Sequence, residues 1–186
     1  MPQVTLRDLT EADRERLHAW RNSPDIAAFM YTDHQISRAE HDRWFDGLAG
    51  DPRRRYWMIE WDGEPVGLAN LADIDRHNGR CSLGHYLAEP AARGQGIGTF
   101  VEYWLIEQVF GALGLNKFWC EVLASNQAAW KLHLSFGFQR EAVFREHVRK
   151  NGLYEDVFGL GLLASDWPAL KPAMLARLHA KGFSVA

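Results

Sequence analysis

The apolar and polar positions of this chain change period several times, and each change marks an element. Val4-Thr-Leu6 alternates like a short strand. Thr10-Glu-Ala-Asp13 then opens a helix, with an N-cap hydroxyl and acids in the first turn, where the helix dipole favours them. Leu17 and Trp20 supply its apolar stripe. Pro24 after Ser23 marks a boundary and starts a short helix. Ser37-Arg-Ala-Glu40 has capping-box spacing and predicts a helix over 38–48, stopped by Gly50-Asp51-Pro52.

From Tyr56 the period is two. Residues 56–61, Asp62-Gly63 and 65–71 read as strand, tight turn and strand. Asn78-Gly79 leads into a third strand over 81–87, closed by Pro90. A helical period follows, with Ile97, Val101, Trp104, Leu105 and Val109 on one face of a helix reaching about Phe110. Residues 117–123 form the next strand. Ser125-Asn126 caps a helix over 127–136 that Gly137 ends. Two strands over 138–148 and 153–163 meet at Lys150-Asn151-Gly152, and Asp166-Trp-Pro168 begins a helical tail. The order is strand, helices, three antiparallel strands, helix, strand, helix, two strands. It predicts an α/β protein with a mixed, mostly antiparallel twisted sheet flanked by helices, not an alternating doubly wound one.

Composition narrows the function. With 186 residues, 47% of them hydrophobic, the chain holds one domain with a substantial core and is short for two. A net charge of −3 leaves no electrostatic footprint for nucleic acid. Arg53-Arg54-Arg55 is the only basic cluster, either solvating a strand entrance or meeting a phosphate-bearing substrate. Cys81 and Cys120 are too few and too distant for a disulfide framework and read as buried thiols in a reducing compartment. The eight histidines form no His-x-x-x-His pair, so no metal is expected. Met1 to Asp8 lacks the apolar core of a signal peptide, and no apolar run reaches membrane-spanning length. A cytoplasmic protein with no membrane partner is the expectation.

The stretch that carries chemistry is Arg93-Gly94-Gln95-Gly96-Ile97-Gly98, between the third of those antiparallel strands and a helix. Three alternate glycines clear side chains from the backbone and accept positive φ. Their amides can curl into a nest, and the following helix adds its free N–H groups and positive dipole end. The combination suits a pyrophosphate. It is not a Rossmann fingerprint, because Thr99 stands where the third glycine belongs, and no Gly-Lys-Ser/Thr completes a P-loop.

Arg93, Gly96 and Gly98 match Arg/Gln-x-x-Gly-x-Gly/Ala, which resembles the acetyl-CoA pyrophosphate loop of the GCN5-related N-acetyltransferases (GNAT). A second family element follows: a strand ending near Leu123, then Asn126, then a helix closing in Phe136-Gly137-Phe138. Together these cover about 56–138. The resemblance implies a single GNAT domain over 1–186, with 1–55 forming acceptor-site helices, 56–138 the acetyl-CoA core and 139–186 the C-terminal strands and tail. It also implies acetyl-CoA as co-substrate, held by the amides of Arg93 to Gly98 and by main-chain groups near Tyr86 and Leu87, with Asn126 at the pantetheine arm. Asn126 is equally a plain helix cap.

The resemblance further implies direct transfer in a ternary complex. Glu121, in the apolar run Phe118-Trp-Cys-Glu-Val-Leu, is the candidate base, since burial would raise its pKa; the alternative is an edge position facing solvent or an arginine. His133 stands where many members carry the tyrosine that protonates the leaving thiolate, four residues before Gly-Phe. It can serve as that acid or as packing, with Tyr86 or water in its place.

The N-terminal part, with Trp20-Arg-Asn22, Phe29-Met-Tyr31, His34-Gln-Ile-Ser37 and Glu40-His-Asp-Arg-Trp-Phe45, resembles the acetyltransferases that act on the 4-amino group of UDP-linked amino-dideoxy sugars in pseudaminic acid biosynthesis. That likeness points to Arg21, Met30, Tyr31, Trp44, Phe45 and Tyr86 as a wall able to stack a uracil and pack a deoxysugar methyl group. At helical spacing, Trp44 and Phe45 also suit ordinary core. A second likeness is to the ribosomal-protein N-terminal acetyltransferases, through Gly152, Tyr154 and Asp156. A third reading is an acetyl-CoA-binding regulatory module without turnover. The expected partner is a small molecule, a UDP-amino sugar, with a homodimer left open.

Overall fold

The computed structural model describes residues 3–184. Met1 and Pro2, the start of the stretch read for a leader, and the last two residues of the tail lie outside the described residues. Seven strands form one sheet in the order β1-β2-β3-β4-β5-β7-β6, where β1 is Val4–Asp8, β2 Arg55–Trp61, β3 Glu64–Asp75, β4 Arg80–Leu87, β5 Lys117–Leu123, β6 Gln139–Lys150 and β7 Leu153–Leu163. Every neighbouring pair is antiparallel except β4 with β5. The helices are α1 (Arg14–Arg21), α2 (Pro24–Ala27), α3 (Arg38–Asp46), α4 (Ile97–Glu107), α5 (Gln127–Ser135) and α6 (Trp167–Ala180).

Period-two strands separate two apolar faces. Trp57 and Ile59 of β2 join a large core with Ile97, Val101 and Leu105 of α4, Phe118 of β5 and Leu178 of α6. Their neighbours Tyr56 and Met58 point the other way and meet Leu17 and Trp20 of α1 and Trp44 of α3. The sheet is therefore covered on both faces, and α4 is buried on nearly every side.

The helix starts follow the capping signals with two changes, the first being that Thr10 opens a 3-10 turn over Glu11–Asp13 ahead of α1. Ser37 accepts the Glu40 N–H at 3.3 Å, but the Glu40 carboxylate turns to His34, 3.1 Å away, so only half of the box forms. β3 runs four residues beyond the predicted Leu71, and a π-helical turn over Gln108–Ala112 extends α4. Both cysteines are free and buried, as expected.

Candidate active site at the β4–β5 splay

β4 and β5 pair only at Arg80–Lys117, Cys81–Phe118 and Ser82–Trp119. Beyond that point each strand follows its other neighbour: β4 stays with β3 as far as Leu87, and β5 with β7 as far as Leu123. Sheet twist then carries the two halves apart. The wedge between them opens into a cleft of about 760 Å³. Gly67 of β3 sharpens this geometry, since a Cβ there would sit 2.2 Å from the Tyr86 carbonyl oxygen. Only glycine lets β3 approach β4 so closely at that point.

Alternation along the two splayed strands sorts side chains to opposite faces. Tyr86 packs toward α1, its ring edge-on to Trp20 at 6.5 Å. Glu121 faces the same side, where its Oε2 accepts the Tyr31 hydroxyl at 2.7 Å. Their neighbours His85 and Cys120 face α4 and α5. All four line the cleft.

On the α4 side, Gly94 (φ 77°) and Gly96 (φ 85°) shape the loop, and Gly96 is the N-cap of α4. A Cβ on Gly96 would also press on the Phe183 ring at 3.0 Å, because the C-terminal tail packs beside the loop. Of the loop, Arg93 and Gly98 line the cleft. The Arg93 side chain is engaged within the protein. Its guanidinium donates to the Leu87 and Ala88 carbonyls at 3.1 and 3.2 Å and pairs with Asp25 of α2 at 2.8 Å. It locks the end of β4 to α2. Asn126 both caps α5, accepting the Ala129 N–H at 3.2 Å, and lines the cleft.

Beneath the cleft lies a cluster that motif reading missed. His133 is buried, and its Nδ1 is 2.8 Å from Glu102 Oε1; the other oxygen of Glu102 is 3.1 Å from His85 Nε2. Burial opposes a charge on His133, but the Glu102 carboxylate, with the Cys120 thiol beside it, outweighs that and holds the imidazolium well above the usual histidine range. The available signal was Glu102 itself, a lone acid among Phe100, Val101, Tyr103, Trp104 and Leu105.

On the other side, Arg21, Met30, Tyr31 and Trp44 line the cleft together with Tyr56 and Tyr86. Lys150 reaches over from β6 and donates to the carbonyls of Ala27, Met30 and Thr32 at 2.7, 2.6 and 3.2 Å, which fixes the segment carrying Tyr31. Burial pushes the Tyr86 phenol up, so this hydroxyl stays neutral and is a poor proton donor. Burial also lowers the Arg21 pKa; its Nη2 donates to Thr32 Oγ1 at 3.0 Å, and no carboxylate among the described residues lies within ion-pair distance.

One expectation, that for Phe45, is corrected, and two alternatives the sequence left open are resolved. Glu121 is exposed, because alternation turns it away from the face that buries Phe118, Cys120 and Val122. Phe45 does not line the cleft; its ring lies under the Arg14 guanidinium at 4.4 Å. The Arg53 to Arg55 cluster is also outside it, and Arg53 and Arg54 pair with Asp51 at 3.6 and 3.4 Å.

The acetyltransferase (GNAT) domain family matches residues 3–139 of this chain. The chain belongs to that family. It is an N-acetyltransferase whose acetyl donor is acetyl-CoA, and the glycine loop at the head of α4 and the splay below it fit that ligand. The acetyltransferase PseH of Campylobacter jejuni is 29% identical over 133 residues, covering 70% of this chain and 81% of that protein. The spermidine N(1)-acetyltransferase of Escherichia coli is 24% identical over 153 residues, covering 82% of each. Among solved structures, the spermidine N-acetyltransferase of Vibrio cholerae in complex with CoA and spermine superposes with a TM-score of 0.83 at 24% identity. It covers 89% of this chain and 98% of that one. Among the described residues no group of His, Cys, Asp and Glu could hold a metal ion, and no helix is long and apolar enough to cross a membrane.

Proposed function

We propose that this enzyme acetylates the 4-amino group of a UDP-linked amino-dideoxy sugar, by direct transfer from acetyl-CoA within a ternary complex. The observation that carries the acceptor class is Arg21. A partly buried guanidinium that feels the Glu40 carboxylate only from beyond ion-pair distance is costly in the free protein and is repaid by an anionic ligand. It opens into a space walled by Trp44, Tyr56 and Tyr86, rings suited to a base and a deoxysugar. A phosphate or diphosphate on the acceptor satisfies the charge, and a polyamine does not. The PseH likeness supports the same class.

The sorting of side chains supports a division of labour. Glu121, on the acceptor side, takes the amine proton directly or through a water, with Tyr31 donating to its other face. A backbone amide near Leu87, on the strand edge that β5 has left, meets the developing oxyanion. His133, on the donor side and held cationic, protonates the thiolate. Base and acid therefore stand on opposite faces of the splay, as the two ends of the transfer require.

The carboxylates of the cleft favour a second reading. Glu40 and Glu121 line it, and both would attract the cationic acceptor of a spermidine or N-terminal peptide acetyltransferase. Tyr154, part of the peptide-enzyme likeness, is exposed and outside the cleft. Thiol release from acetyl-CoA, measured with UDP-4-amino-4,6-dideoxy sugars, spermidine and basic N-terminal peptides in parallel, decides between them. Release with the nucleotide sugar alone is expected. Release with spermidine or peptide and none with any aminated nucleotide sugar overturns the proposal.

A further inference from the structure

Glu102 lies in the middle of α4, fully buried, between Val101 and Tyr103 and one turn from Leu105 and Ile106, which are all buried too. An ionised carboxylate at such a place is costly unless both oxygens are satisfied. Both are: Oε1 by His133 Nδ1 from α5 at 2.8 Å, and Oε2 by His85 Nε2 from β4 at 3.1 Å. Burial alone would push the carboxyl up, but the His133 charge and the two histidine hydrogen bonds outweigh it and hold Glu102 ionised. An ionised carboxylate can only accept, so each nitrogen facing it carries a hydrogen. The variable nitrogen of His133 is then Nε2.

We infer that Glu102 is a positioning residue for the acetyl transfer: its carboxylate pins one nitrogen of His133 and one of His85, so that Nε2 is the nitrogen left to donate a proton at the cleft that His133 lines beside Cys120, and His85 braces the carboxylate from β4. The inference rests on the acetyl-transfer reading of the cleft, but not on which amine is the acceptor. In the transfer, a bond forms between the amine nitrogen and the acetyl carbon, and the carbon–sulfur bond breaks. The amine's surplus proton goes to Glu121 or its water. The electron pair of the broken bond stays on sulfur, which takes the proton from His133 Nε2. His133 is left neutral, with Nδ1–H still on Glu102, and recovers its proton from solvent.

The arrangement parallels the acid–imidazole pair of hydrolytic triads, where a buried carboxylate fixes the tautomer and steadies the imidazolium. The ionisable groups facing His133 are Glu102 from α4, His85 from β4 and Cys120 from β5. Cys120 aids the cation. The sign follows from the raised His133 pKa: the donor form persists through neutral pH and is lost only as pH rises past it. Removing the carboxylate moves that loss to lower pH.

The test uses the full chain with acetyl-CoA and any amine it turns over. Glu102→Gln is expected to lower kcat roughly tenfold or more and to move the basic limb of kcat down by about one pH unit or more. Acetyl-CoA affinity should stay within about twofold. Glu102→Asp should recover part of the activity, and His85→Asn should move the limb the same way by less. A fall in kcat with the limb unmoved, or a fall in acetyl-CoA affinity alone, overturns the inference. Nitrogen-15 NMR of the wild-type imidazoles decides the matter even where a variant fails to fold. Protonation of His133 at Nδ1, with titration well above the ordinary histidine range, is expected; an Nε2–H tautomer or an ordinary titration overturns it. The NMR readout needs no acceptor, so its failure is distinct from failure of the nucleotide-sugar assignment.

Discussion

Replacing Arg21 by methionine separates the cost of holding a charge from its use. In the free protein the guanidinium makes one hydrogen bond, to Thr32 Oγ1 at 3.0 Å, and burial lowers its pKa. Methionine keeps the apolar stem, gives up that bond and relieves the desolvation. The two effects oppose each other, so unfolding free energy should change by no more than about 1 kcal/mol, a melting shift of about 2–4 °C at most for a chain of this length. In the complex the same change removes a charge-assisted hydrogen bond to phosphate, worth about 1.5–3 kcal/mol. That corresponds to a roughly 10- to 150-fold loss in kcat/KM for the nucleotide-linked amine. The assay is steady-state thiol release with the UDP-amino sugar and with an amine that carries no phosphate, alongside a thermal melt. Loss confined to the nucleotide-linked acceptor, with the KM for acetyl-CoA unmoved, is the expected pattern. Equal loss for both acceptors, or no loss for either, refutes the role given to Arg21.

Three further predictions address other parts of the molecule. Glu121→Gln keeps an acceptor for the Tyr31 hydroxyl, so the cleft should hold its shape while kcat falls by roughly 10²–10⁴-fold. Calorimetry should find acetyl-CoA binding nearly intact, and unchanged turnover across pH removes Glu121 from the chemistry. Gly67→Ala drives a methyl group into the Tyr86 carbonyl at 2.2 Å. It should cost about 1–3 kcal/mol in stability and weaken acetyl-CoA binding as Tyr86 and Leu87 shift, whereas an unaltered Kd argues that these residues lie away from the donor. Asp13 binds both terminal nitrogens of Arg7 at 2.7 and 2.8 Å, and that pairing lowers its pKa from 3.8 to about 2. Its stabilisation is therefore complete above pH ~4 and lost as pH falls toward ~2. Denaturant unfolding of Asp13→Asn should show a deficit of about 1–3 kcal/mol at neutral pH that closes in acid, and a deficit that stays constant contradicts this.

Much of the fold was legible because its strands and helices keep clean periods. The hairpin at Asp62-Gly63, the loop before α4 and the Asn126 cap each combine local turn chemistry with a change of period. The splay was not legible. It arises because β4 and β5 each satisfy a ladder with another partner, and no residue within either strand records that. The sequence left Glu121 open between burial and solvent for a different reason. The run 118–123 is mostly apolar, but Phe118, Cys120 and Val122 occupy one face and Glu121 the other, so alternation decides its exposure and the apolar neighbours do not. Phe45 has the spacing of a cleft residue and is instead covered by Arg14, which comes from α1. The reverse holds for Glu102. Its buried pairing unites three elements far apart in sequence, and the only local sign was an acid out of place on an apolar helix.

The claim that this cleft acetylates an anion-bearing amine is tested most directly by one ratio. Thiol release from acetyl-CoA is measured with a UDP-4-amino-4,6-dideoxy sugar and with the same amino sugar freed of its UDP, in the wild-type enzyme. If Arg21 and the aromatic wall hold the nucleotide, kcat/KM should favour the UDP-linked amine by roughly 30-fold or more, the product of one charge-assisted contact and one stacked ring. Equal kcat/KM for the two sugars, or faster release with spermidine than with either, contradicts it.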